Sequence, residues 1–331
     1  MRHNKGWTPA RLIAGTVMTT LVLVISGVCA EEAVAEGTTE SAEPEIRRDL
    51  VYAVADGTEL ELDLAVPTEG RGPFPAIVFI HGGTWDVVSG EVKIKYWNEV
   101  RQAAARGFVG VTVEFRDISE ITPSAQEQGV TGLTAQVSDI QCALRWLRSQ
   151  SDTYNIDSAH IGVYGHGSGG MLALLLGLLD PGNDLWGGCT QEDDSAAVQA
   201  VVSSDGTADI PYIIELKRSD TVRVAHRFEE YTSQYVGGVD HDLSEEELFE
   251  RYRLASPITY IDEGDPPVLS ILGREGIWTP IAQTERFDQR MRLAGARHTM
   301  IVRAGVGSRE ELMWDPQEDF PVWSFFEAHL K

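Results

Sequence analysis

Apolar residues along the chain form short segments of two kinds, which predict strands and helices in alternation. Apolar runs rich in β-branched residues predict strands at residues 50–55, 60–66, 75–80, 108–115, 161–166, 198–203, 267–272 and 299–303. Apolar residues at helical spacing predict helices at residues 96–106, 134–149, 171–176, 281–294 and 320–330. The first two strands flank Asp56-Gly57, which is typical of a hairpin. We therefore expect an α/β fold, with a doubly wound, mostly parallel sheet that opens with a hairpin.

A glycine-rich turn separates the fifth predicted strand from the helix that follows it. The turn reads Gly165-His166-Gly167-Ser168-Gly169. Strand, sharp turn and helix is the context in which α/β-hydrolases place a nucleophilic serine, in the pattern G-x-S-x-G. The outer glycines of that pattern are Gly165 and Gly169, and Gly167 stands at the nucleophile position. The neighbouring hydroxyl, Ser168, comes one residue later, so the turn predicts a nucleophile elbow without its serine.

Several stretches in order make the chain resemble the α/β-hydrolase superfamily from about residue 46 onward. It is most similar to the esterase and prolyl-oligopeptidase-like branch, which includes feruloyl-esterase-like and carboxylesterase-like proteins. The stretches are His81-Gly82-Gly83-Thr84-Trp85, similar to the oxyanion motif H-G-G-G-W, and residues 139–147, 156–170, 255–258 and 266–269. The resemblance implies an α/β-hydrolase fold and carboxylic-ester hydrolysis by a Ser, Asp or Glu, and His in that chain order.

The resemblance also places the other two triad positions. Residues 272–280 match the family turn H-G-x-x-D-x-x-V-P, which puts Gly276 at the acid position. Residues 303–308 match the turn P-G-A-G-H, which puts Gly307 at the histidine position. With Gly167 at the serine position, no triad residue is intact, and we expect an esterase-like protein that is catalytically inactive. Natural loss and engineered removal fit three glycines equally well.

Two alternatives to an inactive esterase stay open. In the first, the chain is an active serine ester hydrolase that uses Ser168, with Glu275 as a substitute acid, or an unrecognised triad. A shift of one residue on a tight turn points Ser168 elsewhere, and a nucleophile misplaced by about 1 Å loses about a hundredfold in rate. In the second, the chain is an extracytoplasmic ligand-binding or scaffold protein.

The resemblance implies a ligand cradle at the oxyanion motif and the elbow. Its residues are His81, Gly82, Gly83, Thr84 and Ser168. We expect His81 to support the loop, while backbone N–H groups bind a carbonyl or carboxylate oxygen. The expected partner is a small-molecule ester or a carboxylate-like ligand. The polar, acidic segment at about residues 205–260 interrupts the strand–helix pattern, and we interpret it as an insertion over the site.

The net charge of the chain argues against one class of partner, nucleic acid. The formal net charge is −24 and the pI is about 4.6, which argues against nucleic-acid binding, since that needs a basic surface. We predict no cofactor and no metal. The triplet Asp240-His241-Asp242 is interpreted as a solvated loop, because adjacent residues rarely converge on one ion.

The N-terminal residues predict export. Residues 1–30 have a positive flank and an apolar run, as in a signal peptide or an N-terminal anchor, and residues 31–45 read as an acidic flexible linker before the domain at 46–331. We expect a secreted, periplasmic or cell-envelope protein that meets a membrane only through an uncleaved anchor. Cys142 is expected to fill the core, and a disulfide between Cys142 and Cys189 is compatible with that compartment.

Overall fold

An eight-stranded sheet is the centre of the computed structural model, which describes residues 43–83, 96–127, 129–180, 195–219, 223–237, 243–276, 278–307 and 320–331. The strands are β1 (Glu45–Ala55), β2 (Thr58–Val66), β3 (Phe74–Ile80), β4 (Val109–Val113), β5 (Ile156–His166), β6 (Ala200–Ser204), β7 (Val268–Gly273) and β8 (His298–Arg303). They lie in the order β1-β2-β4-β3-β5-β6-β7-β8. This crossing order places the fifth strand at the centre of the sheet.

The sheet is mostly parallel and opens with a hairpin, as predicted. β1 pairs with β2 and β2 pairs with β4 in the antiparallel sense, whereas the five remaining strand pairs are parallel. Asp56 and Gly57 form the hairpin turn, with φ values of 52° and 86°. Positive φ at both central residues is the geometry that matches the twist of two-residue hairpins.

Helices cover both faces of the sheet. They are α1 (Trp97–Ala105), α2 (Pro123–Glu127), α3 (Gly132–Ser149), α4 (Ser151–Tyr154), α5 (Ser168–Leu178), α6 (Ile210–Ser219), α7 (Arg223–Tyr235), α8 (Glu245–Ala255), α9 (Ile281–Ala294) and α10 (Phe320–Leu330). Short 3₁₀ turns occur at Ile118–Glu120 and Pro257–Tyr260. The expected strand–helix alternation is therefore confirmed.

The core has two layers, one on each face of the sheet. In β3, Val78 and Ile80 belong to the layer under α3 and α5, whereas Ile77 and Phe79 belong to the layer under α1 and α10. Because successive side chains of a strand point to opposite faces, burial on both faces requires a continuous apolar run. This is the physical reason for the apolar sequence of β3.

The polar segment after β6 folds largely into the helices α6, α7 and α8. It contributes buried apolar side chains at Ile213, Phe228 and Tyr235, and the hydroxyl of Tyr235 donates a 2.8 Å hydrogen bond to Gln136 Oε1 of α3. Ser244 caps α8 by accepting a 3.3 Å hydrogen bond from the Glu247 N–H group. The interpretation of the segment at about residues 205–260 as an insertion over the site stays a prediction.

Cys142 has two roles in the core. It is 3% exposed in the layer under α3, as predicted, and it is disulfide-bonded. The other two cysteines of the chain, Cys29 and Cys189, both lie outside the described residues, and so does the partner of Cys142.

Several other predictions fall outside the described residues: the signal or anchor at residues 1–30, all of the linker up to residue 42, Thr84, Trp85, Asp240-His241-Asp242 and Ser308. Within the described part of the chain, no helix has the length and apolarity needed to cross a bilayer.

Candidate functional site

The turn between β5 and α5 has the geometry of a strained elbow. β5 ends at His166, and α5 begins at Ser168. Between them, Gly167 has φ 57° and ψ −119°, a conformation that costs any side chain energy. The N–H group of Gly167 donates a 2.8 Å hydrogen bond to the carbonyl of Ser204, which ties the turn to the end of β6.

Two of the three glycines in this turn are required by backbone contacts. A Cβ atom on Gly165 would lie 2.0 Å from the carbonyl oxygen of Gly169. A Cβ atom on Gly169 would lie 2.4 Å from the carbonyl oxygens of both Ile80 and His81. By contrast, a Cβ atom on Gly167 would have nothing within 4 Å. The outer glycines are thus needed for close packing, and the central position faces open space.

The loop after β3 presses against this elbow. His81 is 3% exposed, and its ring stacks on Phe115 with the ring centroids 4.1 Å apart. A Cβ atom on Gly82 would lie 2.2 Å from the carbonyl oxygen of His166, so only a glycine allows this approach. The predicted oxyanion loop and the elbow are therefore neighbours, held together by backbone contact.

Ser168 joins the same two segments through its side chain. Its hydroxyl oxygen accepts a 3.1 Å hydrogen bond from the Gly83 N–H group and donates a 3.0 Å hydrogen bond to the Gly83 carbonyl. The hydroxyl is thus engaged with the loop after β3. In the same turn, His166 places Nδ1 3.3 Å from Ser204 Oγ, on the side of β6.

Gly276 and Gly307 lie on two neighbouring loops, which are joined by a backbone hydrogen bond. Gly276 follows β7, and its N–H group donates a 3.2 Å hydrogen bond to the carbonyl of Gly273. A Cβ atom on Gly273 would lie 2.3 Å from the carbonyl oxygen of Gly307, which follows β8. Glu275, the predicted substitute acid, is exposed.

The three glycines therefore follow the carboxyl ends of β5, β7 and β8. In a parallel sheet these ends meet at one edge, where open α/β sheets bind ligands. The assignment of the three glycines to the triad positions stays a prediction.

Asp205 is a residue at this edge that sequence reasoning did not identify as part of the site. It directly follows β6, has φ 52° and is 5% exposed. The Thr279 hydroxyl donates a hydrogen bond to its carboxylate, and the Asp205 N–H group donates a 2.8 Å hydrogen bond to the carbonyl of Ile271. The available signal was an acidic residue followed by glycine directly after an apolar strand. Asp205 thus connects the elbow side of the edge with the loop that carries Gly276.

The described residues contain no cluster of three or more His, Cys, Asp or Glu side chains able to hold a metal ion. The polar groups that converge at the elbow are backbone N–H groups and the hydroxyl of Ser168. Such groups stabilise a negative oxygen, as an oxyanion hole does. The expected cradle for a carbonyl or carboxylate oxygen stays a prediction.

Comparisons with known proteins agree with the observed fold. A model of the BD-FAE family matches residues 62–291. Esterase LipC of Mycobacterium tuberculosis is 28% identical over 222 residues, which cover 66% of this chain and 49% of LipC. A truncated carbohydrate esterase from gut microbiota has a similar structure, with a TM-score of 0.67 and 23% identity over 87% of this chain and 97% of that one.

A propionate-bound thermophilic esterase of Thermogutta terrifontis is also similar in structure, with a TM-score of 0.62 and 20% identity over 87% of this chain and 93% of that one. Identities this low show a shared fold. The matched segment spans about half the length of LipC, since it covers 49% of that protein.

Proposed function

The chain belongs to the BD-FAE family of esterase-like α/β-hydrolases, and from this premise we propose that it binds an ester or a carboxylate without forming an acyl-enzyme. One observation carries the proposal. At the elbow, the position that faces open space is Gly167, which has no hydroxyl, and the neighbouring hydroxyl of Ser168 is bonded to Gly83. The activity of a parent protein with an intact triad would be carboxylic-ester hydrolysis.

Ester hydrolysis by this fold requires three side chains, each with its own role. A serine must attack the carbonyl, a histidine must take the proton of that serine, and an acid must orient the histidine. At positions 276 and 307 the chain has glycines, which neither accept a proton nor orient a base. Without a triad, a hydrolase scaffold retains only the rate that binding and the oxyanion hole supply.

Backbone groups at the elbow support retained ligand binding. The N–H groups of the first turn of α5 have no partner within their own helix, and the N-terminal end of a helix favours negative charge. The loop at Gly82 and Gly83 lies directly against the same turn. A carbonyl or carboxylate oxygen is therefore the ligand chemistry that suits this end of the sheet.

We also propose that the protein works outside the cytoplasm. The positive flank and apolar run of residues 1–30 support export. The disulfide at Cys142 supports an oxidising compartment, because cytosolic thiols are mostly kept reduced.

A serine-directed fluorophosphonate tests whether the chain has a reactive serine. The full chain is compared with the variant that carries Gly167→Ser, Gly276→Asp and Gly307→His. We expect no adduct on the unmodified chain and one adduct, at position 167, on the triple variant. An adduct at Ser168 of the unmodified chain would overturn the proposal and establish the active-hydrolase alternative.

A further inference from the structure

The two hydrogen bonds between Ser168 and Gly83 close a small ring across the site. Gly83 belongs to the loop after β3, and Ser168 is the first residue of α5. The Gly83 N–H group donates to the serine hydroxyl at 3.1 Å, and the hydroxyl donates to the Gly83 carbonyl at 3.0 Å. The two residues are 85 positions apart in the sequence, so the contact connects separate parts of the chain.

This ring engages an N–H group that the expected oxyanion hole would use. In sites of this geometry, the oxyanion hole consists of the N–H group after the nucleophile position and an N–H group from the loop after the third strand. In this chain, Ser168 supplies the first of these groups, and Gly83 is a donor on the loop that supplies the second. The Gly83 donor is already bonded to a hydroxyl of the chain itself.

We propose that Ser168 is a latch, whose hydroxyl holds the Gly83 N–H group and closes the ligand cradle. A carbonyl or carboxylate oxygen must displace this hydroxyl to reach the Gly83 donor. Ser168 is thus a positioning residue that limits affinity. The nature of the ligand rests on the function proposed above, whereas the latch itself rests on the two hydrogen bonds.

The loop keeps its place when the latch opens. Gly82 lies so close to the elbow that a Cβ atom there would be 2.2 Å from the carbonyl oxygen of His166. This backbone packing does not involve the Ser168 hydroxyl. Removal of the hydroxyl therefore leaves the Gly83 N–H group near the cradle with its internal acceptor gone. A neutral hydrogen bond changes an equilibrium by about two- to tenfold, which sets the size of the expected effect.

The test uses the full chain, the variants Ser168→Ala and Ser168→Thr, and the control Ser203→Ala. Ser203 lies in β6, and its hydroxyl donates a 3.1 Å hydrogen bond to the carbonyl of Gly170, which belongs to α5 as Ser168 does. It is a matched control, because this bond does not involve Gly83. Amide hydrogen exchange at Gly83, followed by NMR, measures the latch. Calorimetric titration with propionate measures the affinity of the cradle.

We expect exchange at Gly83 to be about tenfold faster in Ser168→Ala and unchanged in Ser203→Ala. Propionate should bind Ser168→Ala about five- to tenfold more tightly than the unmodified chain, and Ser168→Thr should restore the original values of both quantities. Unchanged exchange at Gly83 in Ser168→Ala would overturn the latch. So would weaker propionate binding in that variant, because the hydroxyl would then assist the ligand. Faster exchange without propionate binding in any variant would confirm the latch and contradict the proposed ligand.

Discussion

The N–H group of Glu275 donates a 3.0 Å hydrogen bond to the carbonyl of Val306. Each of these residues directly precedes one of the glycines at the predicted acid and histidine positions, Gly276 and Gly307. The bond therefore holds the two loops side by side at the carboxyl ends of β7 and β8. Side chains added at the two glycines would start from neighbouring loops, as a catalytic acid and its histidine require.

Replacement of Gly273 by alanine should disturb this pair of loops. The new Cβ atom would lie 2.3 Å from the Gly307 carbonyl oxygen and 2.5 Å from that of Val306, and backbone must move to relieve the overlap. We expect the free energy of unfolding to fall by about 2 kcal/mol, as overpacking does. Urea denaturation measures it, with Gly264→Ala as control, since the Cβ atom there meets only Asp262 Oδ1 at 3.3 Å. Equal losses in both variants would contradict this account of the loop contact.

Alanine substitutions at Gly167 and Gly169 should lower the stability of the fold by different amounts. At Gly167 a Cβ atom has open space, and the cost is that of a left-handed φ, about 1–2 kcal/mol. At Gly169 a Cβ atom would meet two carbonyl oxygens at 2.4 Å, and we expect a loss of about 3 kcal/mol. Thermal or urea unfolding of Gly167→Ala and Gly169→Ala gives the comparison. If Gly167→Ala is the less stable variant, the central position does not face open space.

Sequence periodicity predicted the sheet and five of the ten described helices, because burial of a strand or a helix face depends on residues close together in the chain. The apolar run of β3 and the strand–turn–helix at Gly167 are examples, and both are confirmed. The contact of Ser168 with Gly83 was not predictable in this way. It depends on the order of strands in the sheet, which brings together residues 85 positions apart.

The segment after β6 shows a second limit. Its acidic composition indicated a polar insertion, whereas the structure shows three helices there. The buried contact of Tyr235 with Gln136 was not predicted, because the two residues are 99 positions apart in the sequence. Asp205 was missed for a related reason, since its partner Thr279 lies 74 positions later.

His298 makes the stability of the fold dependent on pH. Its Nδ1 lies 2.9 Å from Asp288 Oδ1, and its Nε2 lies 2.9 Å from Ser270 Oγ. Burial lowers the pKa of His298 below its ordinary value of 6.5; Asp288 opposes this shift and Arg292 adds to it. The unfolded chain therefore binds a proton more readily than the folded chain. Stability must fall as the pH drops below about 6.5 towards the lowered pKa.

The variant His298→Asn should lose less stability than the unmodified chain between pH 7.5 and pH 5.5. We expect the free energy of unfolding to fall less in the variant, since asparagine takes up no proton when the chain unfolds. Urea denaturation at the two pH values measures it. His160→Asn is the control, because His160 is exposed and bonded only to the nearby Asp157 at 2.8 Å among the contacts described. An identical pH response in His298→Asn and the unmodified chain would rule out His298 as the source.

Hydrolysis of a short p-nitrophenyl ester tests the central claim most directly. The unmodified chain, the single variant Gly167→Ser and the triple variant Gly167→Ser, Gly276→Asp, Gly307→His are compared at equal concentration. We predict hydrolysis by the triple variant, and rates about a thousandfold or more lower for the other two, because the triad residues act as a unit. Hydrolysis by the unmodified chain that disappears in Ser168→Ala would contradict the account and make this protein an active esterase.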